Sequence, residues 1–290
     1  FRFWRDMTYD AMDYEASVCD VFPGHGAIFG GIPGPIQSRD DFNKYPFEEI
    51  PARFWKEYTP HLDAIRAVMP DGMKVYGGCG YGIFEASEDL VGYENLAVLQ
   101  YTDPDLFRDL YIKVGDIYAE LWSEMVRRYD DIFVFYRMGD DLGYKNSTLL
   151  EPETIKQHIL PQYQKVINIV HSRGKKFLLH SCGNIFSVMD DIIELGIDAK
   201  HSNEDEIAPF EAWVERYNNS IGLLGGIDVN TLCLGKYDEV YEIVYKKATQ
   251  YRNTARGFAL GSGNSIAGYV PVEGFLAMID AAKDIRKNEA

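Results

Sequence analysis

The sequence predicts a single (β/α)₈ TIM-barrel domain over residues 1–290. Short β-rich runs alternate six times with helical patterns, which makes the strands parallel. Polar residues gather at the C-terminal ends of those runs, as they do where strand ends converge on the mouth of a barrel. No glycine-rich phosphate fingerprint follows the first run: Gly77-Gly78-Cys79-Gly80 lacks the spacing that an open dinucleotide-binding sheet requires. With 290 residues, 46% of them apolar, the chain can bury one large core and shows no two-domain split.

The strands are expected at 74–77, 132–138, 176–180, 197–201, 221–225 and 257–261. Between them, Leu106, Leu110, Val114, Ile117, Leu121 and Met125 recur at steps of three and four and mark one helical face. Asp103-Pro104 caps and starts that helix. Ile155, Ile159, Tyr163, Val166, Ile167 and Val170 form a second face, begun by Pro152 and stopped by Gly174. Pro161 inside it predicts a kink. Further helices are expected at 186–195, 209–217 and 237–251, and a last one from Pro271. The first 70 residues read less clearly, with Gly/Pro-rich loops at 29–35 and 45–51. One or two barrel strands are expected there or upstream. The chain opens on Phe1 rather than Met, so its N-terminal part is expected to be incomplete.

A net charge of −16, from 29 basic and 45 acidic residues, repels phosphate backbones and anionic lipid heads. Nucleic acid and membrane surfaces are therefore not expected as partners. No run approaches the roughly 18 apolar residues of a membrane span. Cys19, Cys79, Cys182 and Cys233 are widely spaced without a paired pattern, which fits a reducing, cytoplasmic setting.

The strand ends carry Asp140 and Asp141, His180 and Cys182, Asn203 and Glu204, Asp228, and Ser262 with Asn264. His180 and Cys182 are two apart, so strand geometry puts both on one face. An imidazole and a thiolate there make half of a tetrahedral zinc site; a packed histidine beside a buried thiol is the plain alternative. Asp140 and Asp141 are adjacent and point opposite ways, so at most one faces the mouth and the other caps a helix or braces a loop. Asn184 reads as the cap of a helix starting at Ile185, and His201 as a hydrogen-bonded core histidine.

The segment Lys176-Phe-Leu-Leu-His-Ser-Cys-Gly-Asn184, followed by Leu195-Gly-Ile-Asp198, resembles the uroporphyrinogen decarboxylase superfamily. It most resembles the branch of corrinoid-dependent methyltransferases, the methylcobamide:coenzyme M and O-demethylase types. Residues 29–46, Asp140-Asp141-Leu-Gly143, Glu151-Pro152, Leu160-Pro161, Gly225-Gly-Ile-Asp228 and Pro271-Val-Glu273 agree in order and spacing. The resemblance implies a TIM barrel. It also implies a zinc held by the His-x-Cys pair, here His180 and Cys182, and by a later cysteine in a Gly-Cys-Gly turn. This chain reads Gly261-Ser262-Gly263 at that turn, so a different third ligand is expected: Cys79, with Glu204 and Asp141 as the other candidates. Asp141 and Glu204 are the expected catalytic groups, and Asp140, Asp228, Ser262 and Asn264 the expected substrate contacts. The resemblance implies a zinc-dependent transfer of a methyl group between a small methylated (methoxy or similar) substrate and a corrinoid protein, with Zn²⁺ and a partner-borne corrinoid as cofactors. The alternatives are a tetrapyrrole decarboxylase of the uroporphyrinogen type and a barrel that binds without catalysis. The arginine-rich N-terminal motif of the decarboxylases, whose place would be near or before Phe1, is not found in this sequence, and acidic strand ends suit a many-carboxylate substrate poorly.

Overall fold

Seven short runs become strands, in a computed structural model that describes residues 1–288. They are β1 Ala11–Ser17, β2 Lys74–Gly80, β3 Phe133–Gly139, β4 Phe177–His180, β5 Ala199–His201, β6 Gly222–Ile227 and β7 Phe258–Ser262. All pair in parallel and in chain order, β1 to β7, and helices cover the outside. The six expected strands are β2 to β7, and β1 is the strand hidden in the first 70 residues. Val75, Tyr136, Met138, Leu179 and Leu223 are fully or almost fully buried where the strands meet the helices. Such burial is the main driving force of the sheet-and-helix layer.

The helix Pro104–Tyr129 forms where its cap predicts, with the Asp103 carboxylate accepting from Leu106 N at 2.9 Å. Its Leu110, Val114, Leu121 and Met125 are fully buried, and Trp122 meets Tyr136 and Phe177 edge-on with centroids 5.6 and 5.8 Å apart. At Pro161 the helix is interrupted rather than simply kinked. Residues Ile155–Ile159 form a π-helical turn, after which Leu160–His171 continues as α-helix. Proline has no N–H and crowds the carbonyl of the preceding turn, and a widened turn relieves both problems. The helix expected at 186–195 is shorter, Met189–Glu194. Asn184 therefore caps no α-helix; its side chain accepts from Phe186 N at 3.3 Å in a local turn.

The expected ring of eight strands is not complete: seven are present among the described residues, and no β7–β1 pairing closes them. The gap is bridged by helices. The last helix, Val272–Lys287, packs on Tyr237–Thr254, stacks Phe275 on Phe3 and ties Arg286 to Asp10 at 2.9 Å. No described helix is long and apolar enough to cross a membrane.

The register sorts the interior into layers. Asp13 lies opposite Tyr76, Glu15 opposite Gly78, and Ser17 opposite Gly80. On the far side Arg137 pairs with Leu178, Gly139 with His180, and His180 with His201. Barrel interiors are usually filled by branched aliphatic side chains. Here Arg137 instead reaches Glu15 through two contacts of 2.6 and 2.9 Å and Asp13 at 3.4 Å, across the intervening strand β2. Burial pushes the Asp13 carboxyl up to about 6 despite Arg137. This ion pair lies one register step below His180 and His201.

Candidate metal centre

The site begins where β3 and β4 end side by side. Gly139 pairs with His180, and Asp140 N then donates to the His180 carbonyl at 2.9 Å, which carries the ladder one residue past the strands. Asp140 and Asp141 diverge there, as adjacent residues must. Asp140 turns inward under the helix Ile83–Val91 and is fully buried. It accepts from Phe84 N and Glu85 N, both at 2.9 Å, and from the Tyr163 hydroxyl at 2.6 Å. Two of these contacts hold the start of that helix and the third ties it to Tyr163, so Asp140, expected as a substrate contact, sits here as a buried brace. Asp141 turns to the mouth.

Two glycines bring Asp141 to Cys182. A Cβ on Gly183, whose φ is +78°, would lie 2.2 Å from the Gly143 carbonyl carbon, and a Cβ on Gly143 would lie 2.7 Å from Asn184 N. Only a pair of residues without side chains lets these two loops touch backbone to backbone. The contact lets Cys182 N donate to Asp141 Oδ1 at 2.9 Å. Gly183→Ala is expected to pry the loops apart, weakening metal retention at least tenfold while the fold persists; a metal titration of the folded variant that matches the native chain would refute this reading.

Asp141, His180 and Cys182 form a group whose ligand atoms all lie within 4.8 Å of one another. His180 Nε2 is 3.4 Å from Cys182 Sγ and 3.7 Å from Asp141 Oδ1. Donors bonded to one zinc at the usual distances, about 2.3 Å for sulfur and 2.0–2.1 Å for nitrogen, stand about 3.3–3.6 Å apart at tetrahedral angles. The donor set and its spacing therefore fit a zinc ion. The protonation chemistry fits as well. Burial, then the neighbouring Asp141, raises the Cys182 thiol to about 12, and burial pushes His180 well below the usual histidine range. Such a thiol ionises at neutral pH when a cation sits beside it.

The thiol is ringed by polar groups. Asn264 Nδ2 donates to Cys182 Sγ at 3.3 Å, and the Ser202 hydroxyl donates to the same sulfur at 3.7 Å. Ser262, at the position where the resemblance implied a thiolate, donates its hydroxyl to the Asn264 carbonyl at 2.6 Å and shapes that loop. Behind His180, the Nδ1 atoms of His180 and His201 are 2.7 Å apart, and His201 Nε2 lies 3.0 Å from the Ser262 carbonyl. His201 is thus more than a core histidine. Sequence reasoning had no signal for the pair, because His180 and His201 meet only through the β4–β5 register.

Cys79 does not join the group. It is fully buried on β2 within the apolar core, where burial raises its thiol well above the usual value. Asp141 takes the place expected of it. Glu204 lies in the loop after β5, outside the three, with its carbonyl accepting from Ile207 N. Asp228 is almost buried and holds loops, accepting from Asp205 N at 2.6 Å and Asn230 N at 2.7 Å.

Lys200, which sequence reasoning passed over, is buried on β5 with its ammonium 3.9 Å from the centre of the Trp213 ring and donating to the Ser202 carbonyl. Burial lowers it to about 7 although Cys182, Glu204 and Asp141 pull the other way. Between that value and its ordinary one of 10.5 the unfolded chain holds more protons than the folded one, so stability rises with pH across this window. Lys200→Met is therefore expected to show its largest relative gain below pH 7 and to lose that gain towards pH 10. Urea denaturation of both proteins at pH 6 and pH 9.5 checks the sign; an unchanged difference would sink it.

Solved structures share this arrangement of strands and helices. A methyltransferase from Methanosarcina mazei superposes with a TM-score of 0.70 at 17% identity, covering 98% of this chain and 83% of that one. A B12-independent methionine synthase from Shewanella sp. W3-18-1, in complex with selenomethionine, gives 0.54 at 12% identity over 99% and 85% of the two chains. A putative vitamin-B12 independent methionine synthase from Listeria monocytogenes gives 0.52 at 15% identity over 97% and 83%. At these identities the likeness is one of fold. No curated protein matches the chain in sequence. The family is fixed by sequence: the model described as uroporphyrinogen decarboxylase (URO-D) matches residues 14–285, from inside β1 to the end of the last helix, and the chain belongs to the URO-D family.

Proposed function

We propose that this protein is a zinc-dependent methyltransferase that moves a methyl group between a small methylated substrate and a corrinoid protein. The observation that carries the reading is the nitrogen, sulfur and oxygen donor set of His180, Cys182 and Asp141, turned together at the mouth of a URO-D fold. A zinc there would supply Lewis acidity to the oxygen or sulfur that loses the methyl group. His180, Cys182 and Asp141 would hold it from two adjacent strand ends. Glu204, in the next loop, handles the proton that a methoxy oxygen takes up. The 262–264 turn flanks the thiol with the Asn264 amide, while Asp228 keeps the neighbouring loop in place. The mouth itself is the docking face for the corrinoid domain. A methyltransferase among the structures of this fold agrees with the reading.

The test is anaerobic incubation of the zinc-loaded protein with reduced corrinoid and a panel of methoxylated and methylthio compounds. Conversion of the cob(I)alamin spectrum to that of methylcobalamin with at least one donor is expected. Decarboxylation of a tetrapyrrole is the second reading, favoured by the family match itself. Against it, the guanidinium of Arg137 is already engaged by Glu15 and Asp13 and is not free for substrate carboxylates. Loss of carboxylates from uroporphyrinogen without methyl transfer to corrinoid would overturn the first reading for the second.

A further inference from the structure

We propose that His201 is a positioning residue: it fixes the proton of His180 on Nδ1 and so leaves the Nε2 lone pair directed at the metal position. The inference rests on the metal-site reading for its purpose, and on hydrogen-bond geometry for its substance. The accounting starts at β7. A peptide carbonyl only accepts, so the 3.0 Å contact from His201 Nε2 to the Ser262 carbonyl puts a proton on His201 Nε2. The two Nδ1 atoms are 2.7 Å apart, which leaves room for one hydrogen between them. A neutral His201 that already carries its proton on Nε2 must accept at Nδ1. His180 therefore donates from Nδ1, and its Nε2 is bare. That atom is the one that faces Cys182 Sγ at 3.4 Å and Asp141 Oδ1 at 3.7 Å. The competing arrangement, with His201 as an imidazolium donating from Nδ1, would leave the His180 proton on Nε2, the atom that faces the metal position.

The relay runs Ser262 carbonyl, His201, His180, metal position, and crosses from β7 to β4 through the register that places His180 beside His201. It gives Ser262 a part in the site through its main chain, although its side chain is no ligand. Histidines that bind metals generally donate their second N–H to an acceptor that fixes tautomer and ring orientation, and loss of that acceptor typically costs 10–100-fold in metal affinity. An imidazole is the acceptor here.

The experiment combines two readouts. In the metal-free native protein, nitrogen-15 NMR of labelled histidines should show His180 protonated at Nδ1 and His201 protonated at Nε2. Competition with a chromophoric chelator should then give a zinc dissociation constant about 10–100-fold weaker for His201→Leu. His201→Asn, whose amide oxygen can occupy the place of Nδ1, should stay within a few-fold of native. The cobalt(II)-loaded proteins should group the same way, with the ligand-field bands displaced in His201→Leu and restored in His201→Asn. A proton on His180 Nε2, or native affinity in His201→Leu, overturns the proposal. A native protein that binds neither zinc nor cobalt overturns the metal reading instead, and the NMR assignment still judges the relay. Should His201→Leu fail to fold by circular dichroism, the native NMR spectrum decides alone.

Discussion

Cys182→Ser is expected to empty the metal site. Protein purified without chelator should carry close to one zinc per chain by elemental analysis. Cys182→Ser and His180→Ala should each fall below about a tenth of that, because each removes one of three protein donors in a site that keeps one position open. Serine is the sharper replacement. It preserves size and hydrogen bonding to Asn264 and Ser202, yet a hydroxyl does not ionise beside zinc at neutral pH as a thiol does. Asp141→Asn should lose less, since its amide oxygen can still face the ion while the negative charge is gone. Methyl transfer should fall with metal content across the series. A metal-free native protein that stays empty after incubation with zinc, together with a fully active Cys182→Ser, would make the pair structural and end the proposed mechanism.

Asp140→Ala is expected to have the largest effect on stability of any change near the site. The substitution leaves the amides of Phe84 and Glu85 and the buried hydroxyl of Tyr163 without their acceptor. Each stranded donor costs about 1–3 kcal/mol, relief of the desolvated carboxylate offsets part of that, and the net loss is about 3–5 kcal/mol. For a chain of this length that lowers Tm by roughly 10 °C. Asp140→Asn should recover part of the loss, since its oxygen can still accept from one partner. Thermal unfolding followed by circular dichroism reads the effect. If Asp140 contacted substrate instead, Tm would hold and KM would rise.

Most of the fold was legible because burial wrote it into the outward faces of β2 to β7. β1 was not, because Asp13 and Glu15 occupy its inner face and break the apolar pattern that marks a strand. Half of the site could be read from one strand, since period-two spacing alone puts His180 beside Cys182. Its third member was one of three candidates, Cys79, Glu204 and Asp141, which spacing alone did not separate. Counting faces fails on β2, where Gly77 and Gly78 take φ of +132° and +146°, so Cys79 turns into the core. The choice between Asp140 and Asp141 depended on which loop meets Gly183, a tertiary contact with no local signal. The eighth strand was an inference from ring closure; among the described residues seven strands form and helices join the two ends.

That closure sets the order in which cooperative structure can form and be lost. Each strand pairs with the one before it in the chain, so successive units dock at low loop-closure cost. The junction between the two ends is different in kind: the Arg286–Asp10 contact spans 276 residues. Such a contact must wait until the intervening ladder exists, and it adds little enthalpy of its own at the surface. The last helix itself is held by Ala277, Met278 and Ala281 packed against Val240 and Val244, so only its junction with the N-terminal segment behaves as a latch. Native-state hydrogen exchange should show the amides of Arg2–Asp6 and of the last turn before Lys287 opening before those of β3 and β4.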